Sequence, residues 1–215
     1  SSKFSVLLHK MVNDYGFDNF LSVQNLLGSH DTERLASACA NPNRWIDHAN
    51  NLQYNPEFKV HRPNEGEREL QKLLVAFQFL FPGAPYIYYG DEVGMWGADD
   101  PDCRKPMIWS NLSYSDEIYH PRDLKRSVDE VFVNKKLTQF YKQMITIRSS
   151  YTCLQKGSYN IQLVDDNTGL FVFNRSLGSQ SITGVFNASS SIQNIERNDI
   201  LKDCFYLYDV RCHNR

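Results

Sequence analysis

Residues 67–92 read ERELQKLLVAFQFLFPGAPYIYYGDE, and the Pro82-Gly83 pair divides the passage into two kinds of structure. Ahead of the pair, Glu67 to Phe81 is apolar on nearly every face after a charged first turn, the pattern of a helix largely covered by neighbours. Pro-Gly stops that helix. Behind the pair, APYIYYGDE opens with a β-branched and aromatic run of strand length. Upstream, FLSVQNLLG at 20–28 lies between Asp18-Asn19 and Gly28 and fits a buried strand better than another helix. The unit from Leu21 to Tyr89 is therefore strand, long loop, helix, strand. It predicts a parallel pair joined by a right-handed crossover.

The first strand runs into NLLGSHDTERL at 25–35. Asp31 followed by Thr32, Glu33 and Arg34 is good helix-cap chemistry. The functional alternative sets His30 and Asp31 at the carboxyl end of a strand, where (β/α)8 enzymes hold their chemistry. Both readings can hold for one aspartate.

Outward from this unit, Phe4, Leu7, Leu8, Met11 and Tyr15 recur at helical spacing, with Gly16 placed to end the helix. Residues 36–65 are irregular and rich in Asn and Pro, with room for a short helical piece, and loops of this length are often functional. A second irregular stretch spans 90–127. Val133, Leu137, Phe140, Tyr141, Met144 and Ile147 then mark one face of a helix ending near Ser149. After Gly157 come the short runs YNIQLV, LFVFNR, SITGVFNAS and CFYLYDV, separated by turn material such as DDNTG and SLGSQ, an antiparallel all-β module.

Composition excludes several partners. Lys and Arg total 23 against 25 Asp and Glu, a formal charge of -2 over 215 residues, which supplies no field for nucleic acid or an anionic membrane. No apolar stretch approaches the roughly 18 residues of a transmembrane span, and SSKFSVLLHKM lacks a convincing signal-peptide cleavage site. The five cysteines form no CxxC pair and no zinc spacing, so no metal site is assigned. Cys204 and Cys212 are near enough in sequence to pair, or all five stay as thiols.

Residues 83–109, GAPYIYYGDEVGMWGADDPDCRKPMIW, together with NLLGSHDTERL, carry a resemblance to the α-amylase family of glycoside hydrolases, especially neopullulanases and cyclomaltodextrinases. In that family a His-Asp pair ends strand seven, Gly-Asp-Glu follows strand eight, and the next loop holds Asp-Pro-x-Cys-Arg-x-Pro-Met. The resemblance implies an α/β fold: residues 1–156 as the C-terminal portion of a (β/α)8 TIM barrel, from helix six to helix eight, and residues 157–215 as an antiparallel β-sandwich domain.

It further implies that Asp31 is the carboxylate that favours an oxocarbenium-like transition state, and that His30 binds a neighbouring sugar hydroxyl. Asp100 and Arg104 match positions that hold glucose units further along the donor side, with an exposed surface ion pair as the plainer reading. Trp96 is a candidate stacking surface or, equally, a loop anchor. Asp91 and Glu92 follow strand eight and read as structural. Trp45, Tyr54 and the loop asparagines are further candidates for contact with substrate, without a motif behind them.

The nucleophile and acid/base of a retaining glycosidase stand about 5–5.5 Å apart and come, in this family, from motifs ahead of the His-Asp pair. Neither motif is in this sequence, and a whole barrel needs about 250 residues. The expectation is the C-terminal part of a hydrolase acting on α-1,4 bonds, either alone or together with α-1,6 bonds, in maltooligosaccharides, cyclodextrins or pullulan, inactive by itself. Its open strand edges would need a missing barrel segment or another protomer to cover them. Rival readings are a transglycosylase or isomerase on the same barrel and a non-catalytic amylase-like binding subunit. The resemblance allows calcium in the parent enzyme and favours a periplasmic or extracellular setting, but no ligand set or address is legible in the residues.

Overall fold

The computed structural model describes residues 2–42, 49–121 and 124–195. Trp45, the CFYLYDV run, Cys204 and Cys212 lie outside the described residues. The chain divides into two compact units, one built from segments 1–25, 76–85 and 144–215, the other from segments 26–75 and 86–143.

In the first unit, α1 (Ser2–Tyr15) ends at Gly16, as the periodicity predicts. The run expected as a strand from Phe20 is shorter than its apolar pattern. Phe17–Phe20 forms a helical turn, α2, in which Phe20 and Leu21 donate to the Gly16 and Phe17 carbonyls. Regular pairing is confined to β1 (Gln24–Leu26) and β2 (Ala84–Tyr86), which form a two-stranded sheet. The run is not buried throughout either: Phe20 is fully buried, but Leu26 is exposed and Leu21, Val23 and Leu27 are only partly covered.

Between these strands runs α4 (Glu65–Leu80), whose last turn belongs to this unit. That turn leaves carbonyls without helical partners. Arginines meet them: Arg148, on α5 (Lys135–Ser150), donates to the Phe79, Phe81 and Gly83 carbonyls, and the fully buried Arg175 donates to the carbonyls of Leu80, Gly157 and Ser158. Burial lowers the pKa of both arginines to about 10, so both stay charged where positive charge suits a helix C-terminus.

The short helix α6 (Thr152–Lys156) leads into β5 (Asn160–Asp165), β6 (Leu170–Leu177) and β7 (Gln180–Asn187), an antiparallel meander in that order. These match the first three runs of the predicted β-module, and the DDNTG and SLGSQ segments make the turns. Phe171, Phe173 and Phe186 join Phe77 and Phe81 in an aromatic cluster, with the exposed Phe4 at its edge, Phe173 and Phe186 stacked at 5.4 Å and Phe77 and Phe81 at 5.0 Å.

In the second unit, α3 (Leu35–Ala40) is the short helical piece of the Asn-rich stretch. Asparagines start the two long helices. Asn64 Oδ1 accepts from the Glu67 N–H while Glu67 Oε2 accepts from the Asn64 N–H, a reciprocal capping box for α4. Asn134 Oδ1 accepts from the Leu137 N–H to cap α5. The 90–127 stretch, expected to be irregular, instead contains a hairpin that runs just beyond it, β3 (Glu117–His120) against β4 (Leu124–Asp129). Its charges hid it from an alternation reading: Arg126, with 2% of its side chain exposed, is clamped between Glu117 at 2.6 Å and Asp129 at 2.5 Å. One core of this unit gathers Ala36, Phe58, Val60, Trp96 and Ala98. Among the described residues no helix is long and apolar enough to cross a membrane.

Candidate functional site

The site lies wholly within the second unit. Its foundation is Arg34, completely buried, whose backbone N–H donates to the Gly97 carbonyl. Nη1 donates to the Tyr89 carbonyl at 2.7 Å and meets Asp91 Oδ1 at 3.2 Å. Nε and Nη2 have no hydrogen-bond partner among the described residues. The guanidinium instead lies over the rings of Tyr88 and Tyr89, at 4.7 and 4.9 Å, where the ring quadrupoles offset part of the lost hydration.

Asp91, fully buried, is pushed up to about 7 by desolvation, with Arg34 pulling the other way. Gly28 makes room for this pair, since a Cβ there would stand 3.0 Å from Asp91 Oδ2. Asp91 is thus structural, as the sequence predicts. Its partner Arg34 is not signalled by any local pattern: the Tyr-Tyr-Gly-Asp run supplies two aromatic faces and a carboxylate, and the cation that meets them comes from 57 positions away.

Above this foundation the loop after β1 and the loop carrying Asp100-Pro101 converge. Arg104 Nε donates to the His30 carbonyl at 3.0 Å, and Cys103 Sγ reaches the same oxygen at 3.4 Å. Arg104 Nη2 donates to Asp31 Oδ1 at 3.4 Å, and Arg104 Nε lies 2.9 Å from Asp100 Oδ1. His30 Nε2 stands 3.3 Å from Asp31 Oδ2. Four residues named from the sequence, His30, Asp31, Asp100 and Arg104, therefore form one cluster across more than 70 positions of chain.

Their side chains remain 46–68% exposed. Exposed ion pairs contribute about 0–1 kcal/mol, so stability does not explain the arrangement. An imidazole, two carboxylates and a guanidinium fork facing solvent offer acceptors and donors suited to a polyhydroxylated ligand.

The two loops are held from behind. Tyr88 and Tyr89 hydroxyls donate to the Cys103 and Lys105 carbonyls, and the Asp102 carboxylate accepts from the Ala98 N–H at 2.7 Å. Lys105 links Asp102 at 3.3 Å to Glu117 of the hairpin at 2.8 Å. On the other side, buried Asn50 donates to Glu33 Oε2 at 2.7 Å, and its carbonyl accepts from the Asp99 N–H at 3.0 Å.

Two readings require correction. Trp96 is not a stacking surface: it is 3% exposed and packed in the core with Phe58 and Val60, because the glycines beside it let the loop fold the indole inward. Asp31 does not cap a helix: α3 starts at Leu35 with Arg34 in the cap position and no side-chain cap. Asp31 instead receives a hydrogen bond from Arg104, and its own N–H donates to Ser29 Oγ. Tyr54 is exposed. Cys39, Cys103 and Cys153 are buried free thiols, and among the described residues no group of three or more His, Cys, Asp or Glu is placed to hold a metal ion.

A family model described as the alpha amylase catalytic domain matches residues 3–157. A cyclomaltodextrinase of Geobacillus thermopakistaniensis is 31% identical over 186 residues, covering 86% of this chain and 23% of that protein. Neopullulanase 2 of Thermoactinomyces vulgaris is 32% identical over 171 residues, 80% of this chain and 22% of that one. Among solved structures, an acarbose-soaked debranching enzyme of Nostoc punctiforme aligns with a TM-score of 0.59 at 26% identity, over 88% of this chain and 29% of its own. The chain thus spans about a quarter of the length of these curated relatives. With the match over 3–157 and the clustered His-Asp and Asp-Pro-Asp-Cys-Arg motifs, the chain belongs to the α-amylase family.

Proposed function

We propose that these residues are the glucose-gripping part of a retaining α-glucan hydrolase of the neopullulanase or cyclomaltodextrinase type. The observation that carries this is the convergence of His30, Asp31, Asp100 and Arg104 in an open, charged cluster. Asp31 accepts from hydroxyls of the ring at which positive charge develops, and the gain is largest in the flattened transition state. His30 binds an adjacent hydroxyl of that ring. Asp100 and Arg104 hold the next unit on the donor side, with Arg104 keeping Asp31 and Asp100 at fixed spacing.

In this reading residues 1–156 are the closing staves of a (β/α)8 barrel and residues 157–215 a terminal β-sandwich. The nucleophile and acid/base are contributed from outside these residues, as is the cover for the edges of β1 and β2. In the same reading the whole protein cleaves α-1,4 bonds, either alone or together with α-1,6 bonds, of maltooligosaccharides, cyclodextrins or pullulan.

Calorimetric titration of the chain with maltotriose tests the proposal. Asp31→Asn and Arg104→Ala are each expected to weaken binding about tenfold or more, the usual effect of losing a hydrogen bond to a charged group. Unchanged affinity in both variants would overturn it.

A further inference from the structure

We infer that Asn50 is a positioning residue that sets the spacing between the two halves of the cluster, His30 with Asp31 and Asp100 with Arg104, a reading that rests on the function proposed above. On the open side Arg104 bridges the halves, but the side chains it joins are largely exposed, and exposed ion pairs hold geometry weakly. A fixed spacing needs a contact for which water does not compete. Asn50, 3% exposed, supplies it. Its amide Nδ2 donates at 2.7 Å to Oε2 of the buried Glu33, two positions after Asp31. A shielded amide–carboxylate bond is among the stronger kinds. In the other direction the Asn50 carbonyl accepts from the Asp99 N–H at 3.0 Å, and Asp99 Oδ1 accepts from the Asp100 N–H at 2.7 Å. One buried residue is thus bonded to both segments that carry the cluster.

The backbone leading into Asn50 is held in a conformation that alanine rarely adopts. Ala49 has φ of +52°, in the left-handed region where a Cβ is crowded. The turn of residues 51–55, closed by the Asn55 N–H on the Asn51 carbonyl at 2.9 Å, brings the Asn55 amide back to donate to the Ala49 carbonyl at 2.9 Å. Asn51 Nδ2 in turn donates to the Asp100 carbonyl at 3.3 Å. Strain of this kind persists where the surroundings over-determine it, and it gathers at ligand clamps. Here the strained link delivers Asn50 between Glu33 and Asp99. Two linked sugar rings that engage both halves gain from a spacing set in advance. A single ring, touching one half, gains nothing from it.

The test titrates the full chain with maltotriose, which spans both halves, and with methyl α-glucoside, which fills one. Asn50→Asp sets a second carboxylate against Glu33, and adding Glu33→Gln restores the bond with donor and acceptor exchanged. Asn50→Asp is expected to weaken maltotriose binding about tenfold or more while methyl α-glucoside stays within about twofold of the native chain. The paired variant Glu33→Gln/Asn50→Asp should recover maltotriose binding to within about threefold. Thermal melts identify the folded variants, and Asn50→Ala is read in place of Asn50→Asp where the latter does not fold. Unchanged maltotriose binding, equal weakening of both sugars, or no recovery in the paired variant overturns the inference. So does a failure of both Asn50→Asp and Asn50→Ala to fold, which would make the residue purely structural. A native chain that binds neither sugar, or binds them indifferently to Asp31→Asn, overturns the proposed function and this inference with it.

Discussion

At the level of single residues, the buried pair of Arg34 and Asp91 shows how an open, charged site is supported from below. Asp91 titrates near 7 in the folded chain against 3.8 for a free side chain. Between about pH 4 and pH 7 the folded state therefore carries a proton that the unfolded state has released. Unfolding in that window releases it, so this group's contribution to stability is full below about pH 4 and is lost as pH rises through about 7. Asp91→Asn is expected to flatten the fall in unfolding free energy across this range, as read by urea melts at pH 5 and pH 8. An unchanged slope would show that Asp91 is ionised throughout. Removing Arg34 takes away the charge that holds the Asp91 pKa down, so Asp91 is expected to stay protonated to higher pH.

At the level of elements, the junction between α4 and β2 depends on one backbone conformation. Gly83 has φ of +104°, and a Cβ there would stand 2.7 Å from the Val23 carbonyl oxygen and from Asn25 Oδ1. The contact with backbone cannot be relieved by a side-chain rotation. Gly83→Ala is expected to cost about 2 kcal/mol or more, a drop in Tm of about 4–8 °C by calorimetry. A variant that melts with the native chain would mean that the turn is freely adjustable. The Asn64–Glu67 capping box at the other end of α4 is more tolerant, since Ser or Asp at position 64 can replace the cap.

At the level of the whole molecule, what was legible in the sequence came from motif and from periodicity. His30, Asp31, Asp100 and Arg104 could be named because NLLGSHDTERL and DDPDCRKPM resemble motifs of the α-amylase family, while the distances between them are set by the fold. The helices of 2–15, 65–80 and 135–150 and the strands of 160–187 followed from periodicity. An aromatic between glycines gives no sign of which way its ring turns, and Trp96 turned inward. The hairpin of 117–129 was hidden because Arg126 is buried by pairing with Glu117 and Asp129, which removes the apolar alternation of an ordinary strand. The Glu33–Asn50 bond joins loops by side-chain geometry that no local pattern encodes.

Because the two further carboxylates of a retaining mechanism are assigned outside these residues, the purified chain is expected to release no sugar from maltoheptaose, cyclodextrin or pullulan by chromatography. Release abolished by Asp31→Asn would place the full machinery within it.

The most direct measurement is a crystal structure of the chain with maltotriose. The account predicts sugar hydroxyls within hydrogen-bond distance of the Asp31 carboxylate and His30 imidazole, with the next ring against Asp100 and Arg104. A maltotriose bound elsewhere, with these four side chains facing only solvent, would contradict it.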